Sequence, residues 1–304
     1  MRHCFFVLFL SALVFLLVST SLISGVQVQS GINYSLEIQG LAWNRTTLNI
    51  MVVTPSNESW WNPVYLNSTL RAIGQWNEAI SYFASNYSQY SYISSVKMQT
   101  IVSNVALSSF DVYLNYTEFP LANTSNEIGL ETWTSQANEI LYSNISLATH
   151  TSHGESLTDG DMQNVALHEL GHSLGVGHCN YTGDTMYPAY TLLSPPRLIS
   201  TLDVYGVATV FAWLQYSTPF APVNAWLQAG PLMLPPDIPY ENLPVSPQFA
   251  LSPTLANNPV VQTLNLLFEL LVHPEILAIV VVLIIVFTVI ALYPSKKQSP
   301  KADS

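Results

Sequence analysis

The sequence predicts an α+β domain followed by a single membrane-spanning helix. Three observations carry this. Five strand-like stretches gather around one long amphipathic helix between residues 46 and 149, a second helix carries histidines at fixed spacing, and the run Ile276 to Leu292 is apolar and uncharged. The 304 residues are 49% hydrophobic, ample for a core in one or two domains. The net charge is −11, and of eight basic residues Arg2, Lys296, Lys297 and Lys301 are terminal, leaving Arg45, Arg71, Lys97 and Arg197 between them. A sparsely charged, acidic middle argues against nucleic-acid binding.

Taken in order, residues 1–28 start with Arg2, run apolar from Phe5 to Val18 and end in small polar residues at Ser24 and Gly25. This reads as a secretory signal peptide, or as an uncleaved anchor, because the apolar region extends with interruptions to Ile23. Either reading exports the middle of the chain. Nine N-x-S/T sequons, beginning at Asn33, Asn44, Asn57, Asn67, Asn86, Asn115, Asn123, Asn144 and Asn180, fit a glycosylated extracellular surface. Cys4 falls in the signal and only Cys179 remains, so no internal disulfide is expected.

Thr46–Val53, closed by Pro55, reads as the first strand, and Val96–Ala106, Phe110–Tyr116, Ile128–Trp133 and Ile140–Thr149 as four more, because each is rich in β-branched and aromatic residues. Val64–Ala84 places Leu66, Leu70, Ile73, Trp76, Ala79, Ile80 and Phe83 at helical spacings, which predicts a long helix packed on the sheet. Asp161–Leu174 follows as a second helix, with Thr158 or Asp159 as its N-cap.

That second helix holds the chemistry. Residues 168–178 read H-E-x-x-H-x-x-G-x-x-H, with His168, Glu169, His172, Gly175 and His178, and a methionine turn runs from Asp184 to Pro188. At about 100° per residue, His168 and His172 share one face, so both imidazoles can reach one ion. Leu167, Leu170 and Leu174 lie on the opposite, packing face. Gly175 lets the chain leave the helix by left-handed dihedrals and swing His178 back as a third ligand. Three neutral nitrogens with an open fourth position are the arrangement of a catalytic Zn2+, and Glu169 is placed to take a proton from water. The competing reading is a chance match in an ordinary amphipathic helix.

With those residues the chain resembles the metzincin clan of zinc endopeptidases, and Met186-Tyr187-Pro188 resembles the turn of its matrixin (matrix metalloproteinase) branch. Leu41–Val53 and Gln75–Ala79 are similar to the matrixin N-terminal strand and helix. The resemblance implies a mixed five-stranded sheet with Ile128–Trp133 as the antiparallel edge strand along which a peptide or protein substrate pairs. It implies that Met186 is an apolar floor beneath the metal, that the pocket for the residue after the scissile bond runs along Tyr187 to Leu198, and that Leu198–Leu214 is the C-terminal helix, with Asp203 buttressing the turn. Two positions depart from relatives: Cys179 stands where matrixins usually carry Ser, and Pro188 stands where astacin-like and serralysin-like members place a metal-reaching tyrosine. No tyrosine ligand is therefore expected. His150 and His153, with Asp159 or Asp161 nearby, offer a second metal site, but matrixin ligand patterns are not reproduced, and one zinc with solvent-exposed loop histidines is the expectation. No propeptide thiolate to block the zinc is expected either.

The catalytic domain is thus expected at residues 30–216. From Tyr216 to Pro259 ten prolines interrupt any periodicity, which predicts a proline-rich stalk over residues 217–275 or an extended segment lying on the domain. Residues 276–293 read as the transmembrane helix and 294–304, with its lysines, as a cytoplasmic tail. The composite expectation is a membrane-anchored extracellular zinc endopeptidase. Its rival is a non-catalytic, zinc-stabilised surface glycoprotein with an adhesion or envelope role, against which Glu169 argues, since such a scaffold needs the histidines but not the base.

Overall fold

Strand β2 (Thr47–Val53) is an interior strand of a mixed sheet, with Leu48 and Ile50 to Val52 buried. In the computed structural model, which describes residues 33–121, 127–216 and 227–249, β2 pairs in parallel with β3 (Lys97–Ser103) on one side and β4 (Val112–Thr117) on the other. Strand β6 (Glu139–Ala148) continues in parallel beside β4, and β5 (Gly129–Gln136) runs antiparallel to β6 at the edge. The order is β3-β2-β4-β6-β5. All five expected strands are present within a few residues of their expected ends, and the α+β class holds.

Helix α1 (Pro63–Asn86) starts where the Asn62 side chain accepts the Val64 N–H and Pro63 presets the first turn. Its stripe Ala72, Ile73, Trp76, Ala79, Ile80 and Phe83 is buried. Helix α2 (Asp159–Ser173) opens with a full capping box between Thr158 and Asp161. Two indoles then fix α2 in place: Trp76 Nε1 donates to Leu167 O at 2.9 Å and Trp43 Nε1 to Ser173 O at 2.7 Å. Both rings are fully buried, so truncating either to Ala would cost about 3–5 kcal/mol and loosen the helix that carries the histidines.

A second, three-stranded sheet was not expected. It has the order β7-β1-β8, all antiparallel, from β1 (Ser35–Ile38), β7 (Val176–Cys179) and β8 (Gly230–Met233). Each strand has four residues, too few to show a period. Strand β8 also corrects the domain border. Of the two readings of the proline-rich segment, residues 227–249 follow the one that lays it on the domain and not the stalk: β8 pairs with β1, Leu227, Ile238 and Leu243 are buried, and Ser246 donates to Glu78 of α1. The prolines there stop helix formation but leave apolar side chains for the core. The domain therefore continues beyond residue 216.

Helix α3 (Thr201–Val210) is shorter than the expected Leu198–Leu214, because Ser200 and Asp203 form a capping box at its start and Ala212–Gln215 tightens into a 3₁₀ turn. The described residues all belong to one compact unit, Asn33–Ser252. Among them no helix is long and apolar enough to cross a membrane. The expected signal (1–28), the remaining stalk residues (217–226 and 250–275), the apolar run (276–293) and the tail (294–304) lie outside the described residues.

Candidate metal centre

The C-terminal half of α2 and the strand that follows it bring His168, His172 and His178 together. Each offers a ring nitrogen, and the three nitrogens lie within 4.8 Å of one another. The reversal between helix and strand is made at Gly175, whose φ of +94° lies in the left-handed region, and where a Cβ would press on Leu41 O and Val210. His178 then arrives on β7, a strand fastened to β1.

The tautomers follow from the hydrogen bonds. His168 Nδ1 faces Thr185 O at 2.8 Å and His172 Nδ1 faces Val176 O at 2.9 Å. A carbonyl only accepts, so both Nδ1 atoms carry the proton and both Nε2 atoms present bare lone pairs. Those two Nε2 atoms are 3.1 Å apart. Two lone pairs at that separation repel unless a cation lies between them. Burial, above all, pushes His168 down to about 3 and His172 down to about 4, which keeps both rings neutral; His178 is lowered more mildly, with Glu37 and Glu127 opposing. The chemistry of this donor set therefore fits a divalent ion that prefers nitrogen, and backbone carbonyls hold the two helical imidazoles from behind.

Glu169 sits beside the histidines, buried, in a cleft of about 510 Å³ whose walls include Gly129, Leu130, Glu131, Asn164, Tyr187 to Tyr190 and Arg197. Burial first, then the nearby Glu131 and Glu127, push its carboxyl up to about 8, partly offset by the backbone N–H of Glu131. A dication nearby would pull it down again. The edge strand leaves room for this side chain only because residue 129 is glycine: a Cβ there would collide with Glu169 Oε1.

Met186 is fully buried against Gly171, between the two helical histidines in sequence, and a Cβ at Gly171 would collide with its sulfur. Cys179 is buried and its thiol faces Tyr181 O at 3.4 Å; burial and Asp184 push it far up, so it stays a thiol. His150 is half-buried with Phe119 packed on its ring, and His153 is exposed.

Three site residues were given no role of their own by the sequence, although each falls in a stretch it singled out. Glu131 is buried on β5, held by Ser143 Oγ, and burial pushes it up to about 7. Arg197 donates from Nη1 to Thr185 O and Tyr187 O and from Nη2 to Ala189 O, tying the methionine turn to the loop that follows. Asp184 accepts the Met186 N–H at 2.8 Å and the Ser200 and Tyr240 hydroxyls. The only available signal was indirect: Arg197 is one of four basic residues in the middle of the chain.

A family model described as matrixin matches residues 43–212, from Trp43 on the near side of β2 through the histidines to the end of α3. Membership implies zinc, which the three imidazoles could bind, and a zinc metallopeptidase acting on peptide or protein substrates. With more than half of its length matched and the metal-binding geometry in place, the chain belongs to the matrixin family.

Proposed function

We propose that this protein is a membrane-anchored, externally facing zinc endopeptidase in which His168, His172 and His178 hold one Zn2+ and Glu169 is the general base. The observation that carries the reading is the meeting of three neutral, convergent imidazoles with a buried carboxyl in a cleft bordered by a sheet edge. Strand β5 pairs with β6 on one side only and lines the cleft with Gly129 to Glu131 on the other. A substrate backbone adds there as a further strand, which fixes its carbonyl beside the histidines. Zinc, when bound, supplies the Lewis acidity that polarises that carbonyl and acidifies water. Glu169 takes the proton of the attacking water and then delivers it to the leaving amine, while the low-exposure floor around Met186 keeps bulk solvent from the far side.

Membrane anchoring and the external location rest on the apolar runs at the two ends of the sequence, and glycosylation on the sequons. Asn44, Asn57, Asn86 and Asn144 are exposed and fit that role, whereas Asn180 uses its amide to hold Ser35 N and Asn33 O. The test is digestion of a mixed peptide library by the zinc-loaded protein, with chelator and with zinc restored. Cleavage that chelator stops and zinc returns supports the reading. Stable zinc without cleavage contradicts it.

A further inference from the structure

Three arginines lie among the described residues, and two are ion-paired: Arg45 with Asp111 and Arg71 with Asp159. Arg197 has no carboxylate within ion-pair reach among the described residues, although it is only half exposed and lines the cleft. Its Nη hydrogens go to the Thr185, Tyr187 and Ala189 carbonyls, and its guanidinium lies over Tyr190 at 5.3 Å. Carbonyls satisfy donors without cancelling a charge, and Nε has no protein partner among the described residues. The nearby acids are committed elsewhere. Asp161 accepts from Tyr190, Leu193 and Thr158, and Asp184 and Asp203 are fully buried with their own partners. Glu127, Glu131 and Glu169 line the same cleft without pairing to it.

The position of this charge relative to the metal centre is fixed by one atom. Thr185 O accepts both His168 Nδ1 at 2.8 Å and Arg197 Nη1 at 3.1 Å. Asn164, Tyr190 and Arg197 therefore form a wall of the cleft next to the histidines, within reach of a substrate side chain flanking a bond held there. Asn164 and Tyr190 spend their own polar groups on each other, on Pro195 O and on Asp161, so the guanidinium is what that wall has left to offer.

We propose that this wall selects a carboxylate side chain, aspartate or glutamate, at a position next to the cleaved bond; the proposal rests on the peptidase reading above. A half-buried guanidinium that feels Asp184 and Asp203 only at a distance, with no carboxylate in contact, is incompletely compensated, and a substrate carboxylate supplies a charge-assisted hydrogen bond that a neutral isostere cannot. Since such a bond contributes more than a neutral one, the glutamate form of a matched peptide should be cleaved about 10- to 100-fold more efficiently than the glutamine form. A lysine form should be worst of all.

The zinc-loaded full chain is first given a proteome-derived peptide library, and cut sites are read by mass spectrometry. Four peptides that differ only as Glu, Gln, Leu or Lys at the enriched flanking position are then compared by kcat/KM at low and high salt. The proposal expects a Glu:Gln ratio above about 10 that shrinks with salt, because the contact is charged and partly solvated. Arg197→Gln should bring the ratio close to one, and Arg197→Lys should retain part of it. Because Arg197→Gln also frees three loop carbonyls, the wild-type ratio decides the matter without any variant. Cleavage with no acid preference, or with Leu preferred, overturns the proposal and leaves the peptidase reading standing. No cleavage of any peptide overturns both.

Discussion

Asp184 and Asp203 meet beneath the methionine turn with neither side chain reaching solvent. Ser200 joins them, donating its Oγ–H to Asp184 at 2.7 Å and its backbone N–H to Asp203 at 2.8 Å. Asp203 Oδ1 would be left without a partner if both were ionised. Burial, and then the adjacent Asp184, push the Asp203 carboxyl well above its ordinary value. Asp203 thus keeps its proton and donates it to Asp184, which in turn holds the Met186 N–H.

The sign of the resulting pH dependence is set by that shift. A carboxyl raised on folding binds its proton more tightly in the native state, so its contribution is fully present below the unfolded value of about 4 and is lost as pH rises through the folded value. Asp203→Asn reproduces the protonated form, because its amide accepts from Ser200 N and donates to Asp184. Measured by thermal unfolding, the difference between variant and wild type should move in the variant's favour as pH rises from about 4. A difference that stays flat with pH means that Asp203 is not the proton carrier. Asp203→Ala, which strips Asp184 of a partner, should cost about 1–3 kcal/mol near pH 4 and progressively less as pH rises.

Gly129→Ala tests how tightly β5 is built around Glu169. The added Cβ would meet the carboxyl directly, so zinc content should be retained while peptide turnover falls by about tenfold or more, since small displacements of a reacting group carry large rate penalties. Unchanged turnover would mean that Glu169 does not work from this position.

Most of this fold was legible in advance because its long elements repeat. Helix α1 shows its buried stripe over six turns, and the five strands announce themselves by β-branched and aromatic content. The histidines were legible because one helix and one glycine set their geometry locally. What remained hidden depends on partners distant in sequence. Strand β1 is four residues that acquire meaning only beside β7 and β8, some 140 to 195 positions later. Proline density in residues 227–249 marks the absence of helix and says nothing of whether the segment lies on the domain. Glu131, Asp184 and Arg197 look like ordinary surface charges until tertiary packing buries them, and periodicity carries no information about that.

Acid should remove the metal before it unfolds the domain. His168 and His172 are held neutral, with values pushed down to about 3 and about 4, so the folded site's advantage is complete above the unfolded value of about 6.5 and is lost as pH falls towards those values. Bound zinc deepens the competition, because three protons must be excluded together. Turnover should show a steep acid limb that excess zinc moves to lower pH. A limb that zinc does not move points to protonation of Glu169 alone.

The most direct measurement of the central claim takes one sample of Glu169→Ala and reads both its zinc content and its peptide turnover. Glu169 is a base beside the ligands, so zinc should stay near one per chain while kcat falls by at least about 100-fold. Full turnover in that variant, or loss of zinc equal to that of His168→Ala, would contradict the assignment.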